Sequence, residues 1–94
     1  MFINRITSKV KPGAMGEVVK LAKAEIERMG NKATVYTPYF GPSDVVVFDL
    51  EFESLEACRK MWEEWFASPE GDRYMEKFIT LVESGGSTEF WNVE

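Results

Sequence analysis

Few side chains in this sequence could carry out acid–base or nucleophilic chemistry. There is no histidine, which removes the commonest general base and the commonest metal ligand. The single cysteine, Cys58, falls on the apolar side of a predicted helix, where a small buried residue is expected rather than a reactive thiol. The adjacent acids Glu63 and Glu64 are typical of a solvated face. The residues therefore identify no catalytic group and no metal site.

Side chains that could contact a ligand are more numerous. Aromatic residues make up 14% of the chain, and several of them recur at helical spacing. The candidate ligand-binding residues are Asn4, Trp62, Trp65, Phe66, Tyr74 and Trp91. Asn4 would orient a ligand through its amide, although a bond to backbone or water is the simpler interpretation. Aromatic stripes at this spacing are also more often core than pocket.

Composition and charge exclude several classes of function. The chain has 94 residues and a net charge of −5, which fits one domain over residues 1–94. It lacks a stripe of basic residues that would bind nucleic acids or anionic membranes, so we expect neither as a partner. One cysteine excludes an internal disulfide, and no apolar run approaches the roughly 20 residues that span a bilayer. With no signal-peptide pattern, we expect a cytoplasmic protein. We also expect no cofactor.

The spacing of apolar residues predicts the order strand, helix, strand, strand, broken helix, strand. Strands are expected at Phe2 to Val10, Ala33 to Phe40, Val45 to Phe52 and Thr88 to Val93, and helices from about Ala14 to Met29 and from Leu55 to about Glu83. Pro38 cannot donate a ladder hydrogen bond, which places the second strand at a sheet edge. The second helix should break at Ser68-Pro69, a cap followed by an initial proline. Gly85-Gly86 is expected to close it.

This order predicts an α+β, ferredoxin-like βαββαβ sandwich with an antiparallel sheet of order 4-1-3-2. Pairing Ile6 with Phe48 gives the central strands one apolar face, which should pack on the helices. The same register sets Arg5 opposite Asp49. The other face mixes valines and isoleucine with these charges, as expected if a second copy covers it. Its candidate dimer-interface residues are Ile3, Arg5, Val45, Val47 and Asp49.

Short motifs spread over nearly the whole chain form a family pattern. They are Asn4-Arg5 followed by Lys11-Pro12-Gly13, then Ser54-Leu55-Glu56, Trp62, Trp65 and Ser68-Pro69-Glu70, and a final strand after Gly85-Gly86. With these motifs the sequence resembles the dimeric α/β-barrel superfamily, in particular NIPSNAP-like and antibiotic-biosynthesis-monooxygenase-like domains. The resemblance implies a homodimer whose two sheets form a barrel, with a cavity between sheet and helices in each subunit.

The resemblance also implies a range of activities. Some members oxidise polycyclic aromatic substrates without a cofactor, others degrade haem, and many have no assigned activity. Haem-degrading members use an asparagine on the first strand, a tryptophan on the second helix and a later histidine. Asn4 and Trp65 match the first two, but Tyr74 or Met75 occupies the third position, so haem degradation is not expected.

Two functions stay open from the sequence. The favoured one is a non-catalytic homodimer that binds a small hydrophobic or aromatic molecule between sheet and helices, because no acid–base set is visible. The alternative, implied by the resemblance, is a cofactor-independent monooxygenase or isomerase acting on an aromatic small molecule. RNA recognition on the sheet is rejected, because Val45, Val47 and Asp49 stand where aromatic and basic residues would be needed.

Overall fold

The computed structural model describes residues 1–94 and shows a four-stranded sheet with three helices. The strands are β1 (Phe2–Val10), β2 (Ala33–Tyr36), β3 (Val45–Phe52) and β4 (Val82–Asn92), and the helices are α1 (Met15–Met29), α2 (Leu55–Phe66) and α3 (Pro69–Phe78). The spatial order is β2-β3-β1-β4, with every neighbouring pair antiparallel. The predicted ferredoxin-like α+β fold and its strand order are confirmed. None of the helices is long and apolar enough to cross a membrane.

The central strands β1 and β3 have the predicted register, with Ile6 opposite Phe48 and Arg5 opposite Asp49. Alternation along these strands separates two faces of the sheet. The face toward the helices, called here the inner face, contributes most of the core. The buried hydrophobic cluster consists of Val10, Val46, Phe48 and Leu50 from the sheet with Val18 and Ala22 from α1. The opposite, outer face carries the Arg5–Asp49 pair.

Strand β2 lies at the sheet edge, as Pro38 required, but it is shorter than predicted. It ends at Tyr36 instead of Phe40. Pro38 lacks the N–H that would continue the ladder, so the chain leaves the sheet before it. Tyr39 and Phe40, which the prediction included in the strand, are 93% and 91% exposed.

The predicted break in the second helix is confirmed. Ser54 begins α2, with its Oγ accepting a hydrogen bond from the Ala57 N–H at 3.1 Å. Ser68 begins α3 in the same way, accepting from the Gly71 N–H at 3.0 Å, and Pro69 takes the first helical position. Ser68 and Pro69 therefore divide the segment into two helices, each of which begins with a serine cap.

The prediction for the C-terminal part was wrong in its boundaries. Helix α3 ends at Phe78, not near Glu83, and β4 starts at Val82 instead of Thr88. The glycines expected to close a helix lie inside β4, beside a register shift between Thr7 and Lys9. Gly85 has a φ of 104°, and a Cβ on Gly86 would lie 2.6 Å from the Thr7 carbonyl oxygen. The glycines permit a bulge and close backbone contact with β1.

Candidate functional site

A cavity of about 440 Å³ lies between the inner face of the sheet and the helices. Of the 16 residues that line it, 13 are hydrophobic, and the polar exceptions are Asn4, Glu25 and Thr88. This volume is in the range of pockets that bury small organic molecules. An apolar wall with a few polar groups is also typical of such pockets.

Most of the candidate ligand-binding residues lie together at this cavity. Asn4, Trp62, Trp65, Phe66 and Tyr74 are all in its wall. Trp91 is not, because it pairs with Ile3 across β1 and β4 and therefore lies on the outer face. There its indole N–H lies 3.4 Å from Glu89 Oε1. Trp91 was predicted to bind ligand from its residue type alone. Side chains alternate along β4, and this alternation places Trp91 on the face opposite the helices.

Asn4 is the polar centre of the cavity wall and is 0% exposed. Its Oδ1 accepts a hydrogen bond from Trp62 Nε1 at 2.8 Å and faces Cys58 Sγ at 3.8 Å. Its Nδ2 donates to the Glu89 carbonyl oxygen at 3.3 Å. Asn4 thus connects β1 to α2 and to β4. An asparagine amide has two N–H donors, and the protein uses one of them.

A second tryptophan is held by a carboxylate that the sequence analysis missed. Trp65 Nε1 donates to Glu25 Oε2 at 2.6 Å, and Arg28 donates two further hydrogen bonds to Glu25 at 2.8 Å each. The bonds from Arg28 lower the pKa of the Glu25 carboxyl. The position of Glu25 in the sequence could have marked it as a residue facing the core, because it falls between Ala22 and Met29 on the apolar stripe of α1.

The remaining wall is a chain of aromatic rings. The Trp62 and Trp65 rings meet edge to face with centroids 5.4 Å apart, and Trp65 meets Tyr74 in the same manner at 5.4 Å. Tyr74 stacks on Phe78 at 5.3 Å. These arrangements are the favourable ones for aromatic pairs. Since both indoles are also held by hydrogen bonds, the wall is organised without a ligand.

A glycine at the start of α3 makes this arrangement possible. A Cβ on Gly71 would lie 2.1 Å from the Trp65 carbonyl oxygen. The same oxygen accepts a hydrogen bond from Ser68 Oγ at 2.7 Å. The first turn of α3 therefore packs directly on the end of α2, and this contact fixes where Trp65 and Tyr74 meet.

The titratable groups near the cavity are not tuned for proton transfer at neutral pH. Burial raises the pKa of the Tyr74 phenol and the pKa of the Cys58 thiol, so both groups stay protonated. The lowered pKa of Glu25 keeps its carboxylate ionised. General acid–base catalysis is most efficient when a pKa lies near the working pH. No group of three or more cysteine and carboxylate side chains converges as a metal site would require.

The outer face carries the candidate dimer-interface residues. Arg5 Nε and Nη2 each donate to one oxygen of Asp49 at 2.8 Å, which makes a two-pronged ion pair. The Asp49 side chain is 9% exposed and that of Arg5 is 41% exposed. Hydrogen bonds from Arg5 lower the pKa of Asp49. By register, Ile3, Val45 and Val47 share this face with the ion pair.

Comparison with protein families matches the NIPSNAP family over residues 5–88. The chain belongs to the NIPSNAP family. The resemblance inferred from Asn4-Arg5, the two tryptophans of α2 and Ser68-Pro69 is therefore confirmed. Comparison of this NIPSNAP domain with curated proteins gives no match.

Solved structures share the fold of this NIPSNAP domain. An uncharacterized NIPSNAP domain protein from Burkholderia xenovorans superposes with a TM-score of 0.85 at 15% identity, covering 100% of this chain and 95% of that one. A NIPSNAP family protein with unknown function from Agrobacterium tumefaciens gives 0.83 at 21% identity, covering 97% and 86%. An antibiotic biosynthesis monooxygenase gives 0.76 at 14% identity, covering 100% and 99%. At these identities the likeness concerns the fold alone.

Proposed function

We propose that this NIPSNAP domain is a non-catalytic binding protein that holds a small planar hydrophobic molecule between its sheet and its helices. The observation that carries the proposal is the cavity of about 440 Å³, whose wall is hydrophobic at 13 of 16 residues. Such a wall binds flat apolar molecules mainly by removing their surface from water.

The order of the wall supports binding. Trp62 is held by Asn4 and Trp65 is held by Glu25, each through its indole N–H. A ligand that meets side chains already fixed in place loses less conformational freedom on binding than one that must order them. Glu25 and Thr88 give a ligand polar groups to bond to in an otherwise largely apolar space.

Calorimetric titration with 1-naphthylmethanol, a planar neutral probe, tests the proposal. We expect saturable binding to the native protein and a large loss of affinity in Thr88→Phe, because Thr88 lines the cavity and a ring there would fill part of it. Thr37→Phe is the matched control, since Thr37 is exposed after β2 and does not line the cavity. Absence of saturable binding, or equal affinity in both variants, would contradict the proposal.

The functional unit is a homodimer joined through the outer faces of two sheets. Membership of a family of dimeric α/β barrels supports it, and so does the outer face itself, where Val47 lies beside an ion pair already complete within the sheet. We expect light scattering to give about twice the chain mass of 10.8 kDa. Val47→Lys should yield a monomer, whereas Ile79→Lys, on an exposed residue after α3, should not. A native protein of single-chain mass at high concentration would refute the dimer.

A second candidate function is cofactor-independent oxidation of an aromatic molecule. The observation that favours it is the structural likeness to an antibiotic biosynthesis monooxygenase. An oxygen electrode distinguishes the two functions with a panel of hydroxylated naphthalenes and anthracenes as substrates. Oxygen uptake that rises with protein concentration and is lost in Thr88→Phe would show that the protein is a catalyst and not only a binding protein. No uptake above the protein-free rate is the result expected from a binding protein.

A further inference from the structure

The charge on the cavity wall is negative only. Among its lining residues there is no lysine or arginine, and Glu25 is the single carboxylate. Arg28, which pairs with Glu25, is not part of the wall. Its side chain is 43% exposed, whereas that of Glu25 is 13% exposed. Because solvent screens the arginine more strongly than the carboxylate, a ligand inside the cavity experiences the acid more than its partner.

The Glu25 carboxylate also has unused capacity to accept hydrogen bonds. A carboxylate offers about four lone-pair positions. The protein fills three of them, with Trp65 Nε1, Arg28 Nε and Arg28 Nη2. The fourth position is on Oε1, which accepts only from Arg28 Nε, because Oε2 accepts from both Trp65 Nε1 and Arg28 Nη2. A donor that carries a positive charge would use it best, because hydrogen bonds between ionised partners are the stronger ones.

The aromatic rings around Glu25 favour the same kind of ligand. Trp65 contacts both Trp62 and Tyr74, and all three rings line the cavity. A cation is attracted to the face of an aromatic ring, most strongly to that of tryptophan. An organic cation thus gains from the carboxylate and from the rings, while its hydrocarbon part gains from burial. An anion would gain only from burial and would be repelled by Glu25.

We propose that the cavity selects a hydrophobic organic cation, an amine attached to an aromatic body, with its ammonium group at Glu25 and its ring against Trp62 and Trp65. The inference rests on the proposed binding function and specifies the chemistry of the ligand. The net charge of −5 on the chain acts in the same direction, since it raises the local concentration of cations.

Calorimetric titration with three probes of the same aromatic body tests the selection. The probes are 1-naphthylmethylamine, 1-naphthylmethanol and 1-naphthoate, which are cationic, neutral and anionic at neutral pH. We expect the amine to bind about tenfold more tightly than the alcohol, and the carboxylate about tenfold more weakly, where tenfold corresponds to about 1.4 kcal/mol. Equal affinity for amine and alcohol, or tighter binding of the carboxylate, would overturn the inference.

Glu25→Gln removes the charge but keeps an oxygen that can accept from Trp65. In this variant we expect the ratio of amine affinity to alcohol affinity to fall from about tenfold to about one. Glu27→Gln is the matched control, because it removes the same charge from an exposed position of the same helix. A preference for the amine that survives Glu25→Gln would also overturn the inference.

The outcomes separate this inference from the proposed function. If none of the three probes binds the native protein, the binding function itself fails and the selection fails with it. If the alcohol binds in the cavity and the amine binds no better, only the selection fails. The native series decides the matter even if Glu25→Gln does not fold.

Discussion

The neighbours Asn4 and Arg5 lie on opposite faces of one strand, and they satisfy their polar groups in different ways. Asn4 is neutral and fully buried, and it bonds to Trp62 of α2 and to the backbone of β4. Arg5 is charged and partly exposed, and it bonds to Asp49 on the adjacent strand. The inner face therefore depends on the helix layer, whereas the polar pair of the outer face is complete within the sheet.

This difference explains how one sheet can serve two purposes. The hydrogen bonds of Asn4 hold α2 at a fixed distance from the sheet and keep a tryptophan in the cavity wall. The Arg5–Asp49 pair satisfies both of its charges within the sheet, which suits contact with another sheet. Changes at Asn4 should therefore alter the cavity, and changes at Asp49 should alter the outer face and leave the cavity intact.

The largest effect is expected from Gly71→Ala, which disturbs the backbone contact between α2 and α3 on the cavity side of the sheet. A methyl group at this position would lie 2.1 Å from the Trp65 carbonyl oxygen, so α3 must move away from α2. We expect a loss of about 3 kcal/mol in the free energy of unfolding, measured with urea. Binding of 1-naphthylmethanol should weaken as well, because Trp65 and Tyr74 would separate.

Gly16→Ala is the control for that experiment. Gly16 lies in α1, and a Cβ there would meet nothing within 4 Å. Alanine is the better helix former, so the free energy of unfolding should stay the same or rise by up to about 1 kcal/mol. Similar losses in the two variants would show that the contact between α2 and α3 is not the cause.

A smaller effect is expected from Asn4→Leu. The variant leaves the partly buried indole N–H of Trp62 without its acceptor, which should cost about 2 kcal/mol of stability. Asn92→Ala removes the same amide from an exposed position of β4 and should change stability by less than about 0.5 kcal/mol. Urea denaturation of both variants compares them. Equal stabilities would mean that Asn4 does not anchor α2.

The smallest effect is expected at the outer face, from Asp49→Asn. At neutral pH the loss should be about 1 kcal/mol, because Arg5 is partly exposed and solvent screens the pair. Hydrogen bonds from Arg5 place the pKa of Asp49 below its ordinary value of 3.8. The stabilisation is therefore present above that value and is lost as the pH falls through the lower, folded-state pKa.

Urea midpoints measured across acidic pH test this prediction. The native protein should lose more stability on acidification than Asp49→Asn, and the two curves should converge as the carboxyl becomes protonated. Affinity for 1-naphthylmethanol should be unchanged in the variant at neutral pH. Parallel pH curves would contradict a stabilising Arg5–Asp49 ion pair. Loss of probe binding would contradict the independence of the cavity from the outer face.

The sequence was sufficient for the central strands because two independent patterns agreed there. Alternating apolar residues set Ile6 opposite Phe48, and the same register paired Arg5 with Asp49. The caps Ser54 and Ser68 were equally informative, because each sits before a helix and has the side chain that its first turn requires. Asn4, with Trp62, Trp65, Phe66 and Tyr74, followed from this framework as candidate residues and lines the cavity.

The rest could not be predicted because it depends on contacts between distant segments. Strand β4 begins with Val82-Glu83-Ser84 and two glycines, a composition unfavourable for a strand, and it forms because β1 offers a ladder to pair with. Its register then decides that Trp91 faces outward. Glu25 was overlooked because an acid on an apolar stripe is usually a solvated exception, and only the structure shows Trp65 and Arg28 bonded to it.

The most direct test of the cavity is a crystal structure of the protein grown with 1-naphthylmethanol. The account predicts density for the naphthalene ring between sheet and helices, in contact with Trp62 and Trp65, while the bond from Trp62 to Asn4 stays in place. A structure in which these side chains fill the space themselves, with no probe density there, would contradict it.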